Sequence, residues 1–211
     1  MGRKSVEKER KQLNKKQKIW LANSLPFFYK EGIVGPTMND IATYLGLSKA
    51  TIYNYYESKE DLVHDSLWVK LKELEGFRDL LFNEDLDFVE RYYEGVNFFA
   101  QSLTGMTNAY LKDLKENFPN SWESVELFQT KSVENLRTYY EMGIQKGIFR
   151  PFNVHVMASY DMVFFNMMLD PSFLKENQIT VEQAFSEYFN MKFNGILVKR
   201  DLSIINNYQK N

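Results

Sequence analysis

Residues Thr37 to Tyr56 read TMNDIATYLGLSKATIYNYY, and the rest of the chain can be organised around this stretch. The Thr37 hydroxyl can accept a bond from the backbone N–H of Asn39 or Asp40. Asp40, at the third helical position, can reach back to the cap and suits the positive end of the helix dipole. Ile41, Ala42 and Leu45 then form an apolar stripe, and Gly46 stands where a left-handed residue ends the helix without a Cβ penalty. Ser48 is the next cap. Beyond it Ile52 and Tyr56 turn inward, while Lys49, Thr51, Tyr53, Asn54 and Tyr55 cover the other faces. Two short helices joined by a tight glycine turn predict a helix-turn-helix.

The outward face of the second helix has the chemistry of a nucleic-acid reader. Ser48 and Ala50 are short enough to let its N-terminal end approach a duplex. Lys49 suits a guanine edge or a phosphate. Thr51, Tyr53 and Tyr55 offer hydroxyls to phosphate oxygens, and Asn54 can pair with an adenine edge. The same residues also fit a solvated helix pair inside an all-helical domain, with Tyr53, Tyr55 and Tyr56 as packing residues.

Charge is divided along the chain. Residues 1 to 59 hold eleven Lys or Arg against five Asp or Glu, whereas residues 60 to 211 hold fifteen against twenty-three. The basic part contains the helix-turn-helix, and the acidic remainder would repel phosphates if DNA wrapped around it. With no cysteine among 211 residues, disulfides and thiolate sites are excluded. No apolar run approaches the length of a membrane span, and the basic N-terminus lacks a following apolar segment, so a cytoplasmic protein is expected.

The run from Gly32 to Leu62 resembles the DNA-binding part of the TetR family of bacterial regulators, of the TetR/AcrR type. It has the glycine, Thr37, the Ile41-Ala42 pair, Gly46, SKATIYNYY, and SKEDL from Ser58 to Leu62 in the same order and spacing. The resemblance implies phosphate contacts from Thr37, Thr51, Tyr55 and Lys59. It places Asn39, Ser48, Lys49, Ala50, Tyr53 and Asn54 at or near base edges. The partner implied is a double-stranded, roughly palindromic operator.

Around this motif the chain reads as helices and breaks. Met1 to Lys18 is a basic segment, either an arm along the duplex or a solvated tail. Ile19, Leu21, Ala22, Leu25 and Phe28 predict a first helix, which Pro26 should kink or break at the Ala22 carbonyl. Ser58 and Asp61 start a helix that can run to about Leu81. It carries His64, whose surroundings favour a solvated side chain over a metal or effector ligand. Further helices follow the breaks at Asn83 to Asp87, Gly105 and Pro119, and a long one stops at Gly147. Asn153 caps the next, Pro171 interrupts, and Thr180 with Gln183 opens the last.

The last two long helices are apolar on more than one face, which requires burial on several sides. The resemblance implies that this final pair packs against a two-fold mate as a four-helix bundle, with Met157, Phe164, Phe165, Met168, Phe185, Phe189 and Phe193 as interface candidates. A monomeric core is the alternative. Asp161 is out of keeping with its neighbours, and a backbone donor, a partner residue or an effector could each meet it. The resemblance also implies an effector pocket, although similarity in this half is confined to the GIQKGIF segment. Trp68, Phe98, Phe99, Met106, Tyr110, Phe128, Tyr139, Met142 and Met167 offer aromatic and thioether surface for it, or for ordinary core.

The sequence thus predicts an all-α chain of about nine helices. A basic arm and three-helix helix-turn-helix domain occupies residues 1–59, and an effector-binding and dimerisation domain occupies 60–211. The expected function is that of a homodimeric repressor released from its operator by a small apolar or aromatic effector, with no cofactor and no metal. A DNA-bound interaction protein acting through a protein partner is the alternative. With two histidines and no nucleophile and base arrangement, an enzyme is not expected.

Overall fold

A computed structural model describes residues 13–168 and 171–198, among which every regular element is a helix. The predicted arm up to Gln12, and Leu169, lie outside the described residues. The N-terminal part begins with α1 (Lys15–Glu31), α2 (Met38–Tyr44) and α3 (Lys49–Tyr55), followed by α4 (Lys59–Leu74). Each starts at a side-chain cap. Asn14 accepts from Gln17 N at 2.9 Å, Thr37 from Asp40 N at 3.3 Å, Ser48 from Thr51 N at 3.0 Å and Ser58 from Asp61 N at 3.1 Å. Gly46 ends α2 with φ of 67°, the left-handed conformation expected of it.

The remaining helices are α5 (Gly76–Leu81), α6 (Phe88–Ser102), α7 (Asn108–Asn117), α8 (Pro119–Gln145), α9 (Val154–Met168), α10 (Pro171–Asn177) and α11 (Val181–Ile196). Eleven described helices replace the nine expected for two reasons. The helix foreseen from Ser58 to Leu81 is divided at Glu75, and the residues after Pro171 form a short helix of their own. Glycine weakens a helix interior, and at Gly76 the Phe98 ring lies so close that an added Cβ would stand 2.8 Å from it. Asn153 caps α9 by accepting from the N–H groups of His155 and Val156. Thr180 and Gln183 form the reciprocal capping box of α11.

The break expected at Pro26 does not occur. Helix α1 runs through it without a break. Both Pro26 and Ala22, whose carbonyl loses its in-helix donor, are exposed, so water can satisfy that carbonyl.

Two apolar cores form. The first joins Leu21, Leu25 and Phe28 of α1 to Ile41, Ile52 and Leu62, and continues through Leu67 to Tyr110, Leu114 and Val125. The second gathers α5, α6, α8, α9 and α11 around a cluster of tilted and edge-on aromatic rings, among them Tyr92, Tyr139, Tyr140, Phe149 and Phe193. An isolated bridge between Phe149 and Leu197 ties the turn after α8 to the end of α11, with Arg150 N donating to the Ile196 carbonyl at 2.7 Å.

Candidate functional site

The geometry of the helix-turn-helix follows from its caps. Thr37 donates through Oγ1 to Asp40 at 2.7 Å, and its N–H donates to the same carboxylate at 2.8 Å. These bonds hold the Asp40 carboxyl below its ordinary pKa. Ser48 Oγ lies 2.8 Å from Thr51 Oγ1, so both hydroxyls are engaged across the first turn of α3. On the outer face Asn39, Ser48, Lys49, Ala50, Tyr53, Asn54 and Tyr55 are all exposed, and Thr51 is half-buried. Tyr53 and Tyr55 are each 45 % exposed, high for rings that a monomer could bury, and Ile52 between them is 2 % exposed. Helix α3 therefore turns its phenols outward and its aliphatic side chain inward.

Lys59 is placed differently from a free phosphate ligand. Its ammonium donates to the carbonyls of Ile33, Val34 and Pro36 at 2.8, 2.8 and 3.0 Å, clamping the loop between α1 and α2 onto the start of α4. Partial burial there lowers its pKa. Sequence reasoning passed over Trp20 of α1, whose ring meets Tyr55 edge-on at 5.4 Å while the Lys16 ammonium stands 5.0 Å above it. This contact brings a basic side chain of α1 beside the end of α3. The only trace of it in the sequence is the i, i+4 spacing of Lys16 and Trp20.

A cleft of about 740 Å³, part of it open to solvent, lies between α4 and α9. Leu67, Leu71 and Leu74 of α4 form one wall, and Phe128, Ser132 and Leu136 of α8 with Met162 and Phe165 of α9 form another. Of the residues expected to line a pocket, Phe99, Met106 and Phe128 do so. The others lie elsewhere. Tyr139 is core, stacked on Phe88 with ring centroids 4.6 Å apart and donating to the Phe88 carbonyl at 2.7 Å. Tyr110 packs edge-on against Tyr29 between α1 and α7. Trp68 is half-buried beneath the Lys72 ammonium, Phe98 covers Gly76, Met142 is half-buried on α8, and Met167 packs against the second core. Leucines contribute more of the wall than the aromatic residues singled out from the sequence.

Asp161 finds its partners inside the chain. Tyr140 and Tyr188 donate to its two carboxylate oxygens, and the Lys192 ammonium donates to Asp161, to the Tyr140 hydroxyl and, at 2.6 Å, to the Tyr92 hydroxyl. The ammonium thereby uses all three donors, and α6, α8, α9 and α11 are joined at one buried point. Burial lowers the Lys192 pKa to about 8 against the opposing pull of Asp161, and it raises the phenols of Tyr92 and Tyr140.

The residues expected at a dimer interface are largely spent on this core. Phe164, Phe165, Met168, Phe189 and Phe193 are buried within the single chain, and Met157 and Phe185 are half-buried. On the described parts of α9 and α11 the large apolar side chains left in solvent are instead Val156, Tyr160, Val163 and Met191, at 57, 67, 67 and 71 % exposure. Among the described residues no group of three His, Cys, Asp or Glu can hold a metal, and no helix is long and apolar enough to cross a membrane. His64 Nδ1 lies 3.5 Å from Asp65.

The pattern that defines the bacterial regulatory proteins of the tetR family matches residues 22–65. An uncharacterized HTH-type transcriptional regulator of Bacillus subtilis, YvaF, is 26 % identical over 163 residues, covering 76 % of this chain and 85 % of that protein. Two solved structures share the fold. The TetR-family regulator PfmR of Thermus thermophilus has a TM-score of 0.65 at 22 % identity, over 86 % of this chain and 99 % of its own. A gamma-butyrolactone receptor described as ArpA-like has a TM-score of 0.63 at 12 % identity, over 92 and 97 %. With its capped helix-turn-helix and exposed α3 face, the segment 22–65 thus carries the DNA-binding pattern of the tetR family of bacterial regulatory proteins, and the chain shares the fold of the TetR-family regulators it resembles.

Proposed function

We propose that this regulator is a homodimeric repressor that leaves its operator when a small apolar molecule enters the cleft between α4 and α9. The observation that carries the ligand-responsive part is the cleft itself, whose wall includes both α4, which leads to the helix-turn-helix, and α9, which bears the exposed apolar stripe. Residues 1–59 would read DNA and residues 60–211 would bind effector and partner. Phosphate contacts from Thr37, Thr51 and Tyr55 would set the register on the duplex. Side chains at the start of α3, with Tyr53 and Asn54, would choose bases. Lys59 would act by holding the loop that presents Thr37.

The partner copy would cover Val156, Tyr160, Val163 and Met191, because a helix stripe of this kind is stabilised by removal from water. Two-fold symmetry would then set two α3 helices about one turn of duplex apart, and the operator would be an inverted repeat. An effector that prefers a different dimer spacing would lower operator affinity by its differential affinity for the two states.

Selection of bound fragments from random duplexes at a fixed salt concentration tests the proposal. An inverted repeat, lost with Tyr53→Ala while the chain stays folded, is the expected result. Binding without sequence preference would overturn it, and unchanged binding by Tyr53→Ala would overturn the placement of α3.

A further inference from the structure

Among the described residues the cleft's wall carries no Lys, Arg, His, Asp or Glu. Its polar members are neutral: Gln129, Ser132 and Asn166. Ser132 donates its hydroxyl hydrogen to the Phe128 carbonyl at 2.9 Å, so only its lone pairs remain for a guest. Gln129 is half-buried and Asn166 exposed, whereas Leu67, Leu74, Phe77 and Leu136 are buried. The cleft thus has an apolar interior and a neutral, amide-bearing rim.

The described wall offers no cation to an anionic guest. The Lys70 ammonium on α4 is bound to both carboxylate oxygens of Glu73 at 3.0 Å. Lys192 is closed on Asp161 and two phenols, as described above. Arg137 of α8 is off the stripe that faces the cleft, which runs through Val125, Phe128, Gln129, Ser132 and Leu136. Among the described residues no carboxylate lines the cleft either, so a cationic guest would also be desolvated without a partner there.

Resting on the ligand-responsive reading above, we propose that the cleft takes an uncharged small molecule with a hydrocarbon or aromatic body and one hydroxyl or N–H group that donates to Ser132. The amides of Gln129 and Asn166 can serve either a donor or an acceptor near the rim, so selectivity for the polar group resides at Ser132.

Two probes with one ring skeleton test charge and site together in the full chain. N-phenyl-1-naphthylamine is neutral and carries an N–H, and 8-anilinonaphthalene-1-sulfonate adds a sulfonate. Fluorescence titration is expected to show saturable binding of the neutral probe, with the sulfonate weaker by roughly tenfold or more. Met162→Trp, which fills the cleft, should abolish the neutral signal. Asn166→Lys, on an exposed rim position that leaves the core intact, should strengthen the sulfonate selectively. Circular dichroism confirms that each variant is folded.

Equal or tighter sulfonate binding that is lost in Met162→Trp would refute the uncharged class while leaving the cleft as a binding site. Absence of binding by both probes, or neutral-probe binding indifferent to both Met162→Trp and Asn166→Lys, would refute the site itself and the class with it.

Discussion

Replacing Lys192 with methionine tests how the second core is held together. The substitution keeps most of the side chain's length and removes the ammonium that contacts Asp161, Tyr140 and Tyr92. Asp161, with 0 % exposure, would then be a buried carboxylate held by two phenols and no cation. Breaking such a pair by removing one partner costs roughly 3–5 kcal/mol. In a chain of this size that lowers the melting midpoint by roughly 6–20 °C, at about 2–4 °C per kcal/mol. Asp161→Asn strands the ammonium instead and should cost a similar amount. The double variant Asp161→Asn/Lys192→Met leaves no unpaired charge, so it should cost less than the two single losses summed, by about 2–3 kcal/mol. Urea unfolding followed by circular dichroism and tyrosine fluorescence, at neutral pH and one fixed protein concentration, measures all four corners of the cycle. Additivity within about 0.5 kcal/mol, or a Lys192→Met chain as stable as its parent, would refute the view that this pair joins α9 to α11.

Three further outcomes are expected. Gly143→Ala puts a methyl group 2.2 Å from the Phe149 ring and 2.9 Å from Phe88, so it should cost about 1–3 kcal/mol, and Phe149→Leu in the same background should recover part of the loss in urea melts. Lys59→Met removes the donor from the carbonyls of Ile33, Val34 and Pro36, and backbone amide exchange in that loop should accelerate, with operator affinity falling as well; unchanged exchange would count against the clamp. Burial raises the phenols of Tyr92, Tyr139 and Tyr140. A raised folded-state pKa contributes stability that is complete below the unfolded value of about 10 and is lost as pH climbs towards the folded one. Alkaline unfolding should therefore set in above about pH 10, with the phenolate absorbance of these three side chains appearing together with the loss of helix.

What could be read from the sequence was governed by local chemistry. Thr37, Ser48, Ser58, Asn153 and Thr180 were legible as helix starts because a cap bonds to a backbone group two or three residues away. Gly46 was legible because its turn demands a left-handed residue. The helix-turn-helix face followed from those caps and one helical period. The aromatic residues of α9 and α11 could not be sorted, since a helix apolar nearly all round gives no sign of which face meets its own core. Phe189 and Phe193 face inward here, and Tyr160 and Met191 face outward. Asp161 and Lys192 are thirty-one residues apart, and their pairing depends on how α9 and α11 cross. The cleft wall is drawn from several helices, so the leucines of α4 looked like any other core stripe. Lys59 carried the ordinary look of an exposed lysine after a serine cap, and only the fold of the preceding loop supplied its three carbonyls.

The clamp at Lys59 also has a mechanical consequence. Helix α4 has sixteen residues, which makes it roughly 24 Å long. Its far end forms cleft wall through Leu71 and Leu74, and its near end is pinned to the loop ahead of α2. A tilt of only about 5° about the cleft end therefore sweeps the near end through roughly 2 Å, carrying α2 and α3 with it as cargo. On the proposed reading the helix would act as a lever arm, so a few degrees of tilt imposed among its leucines would shift the α2–α3 pair by about the thickness of a methyl group.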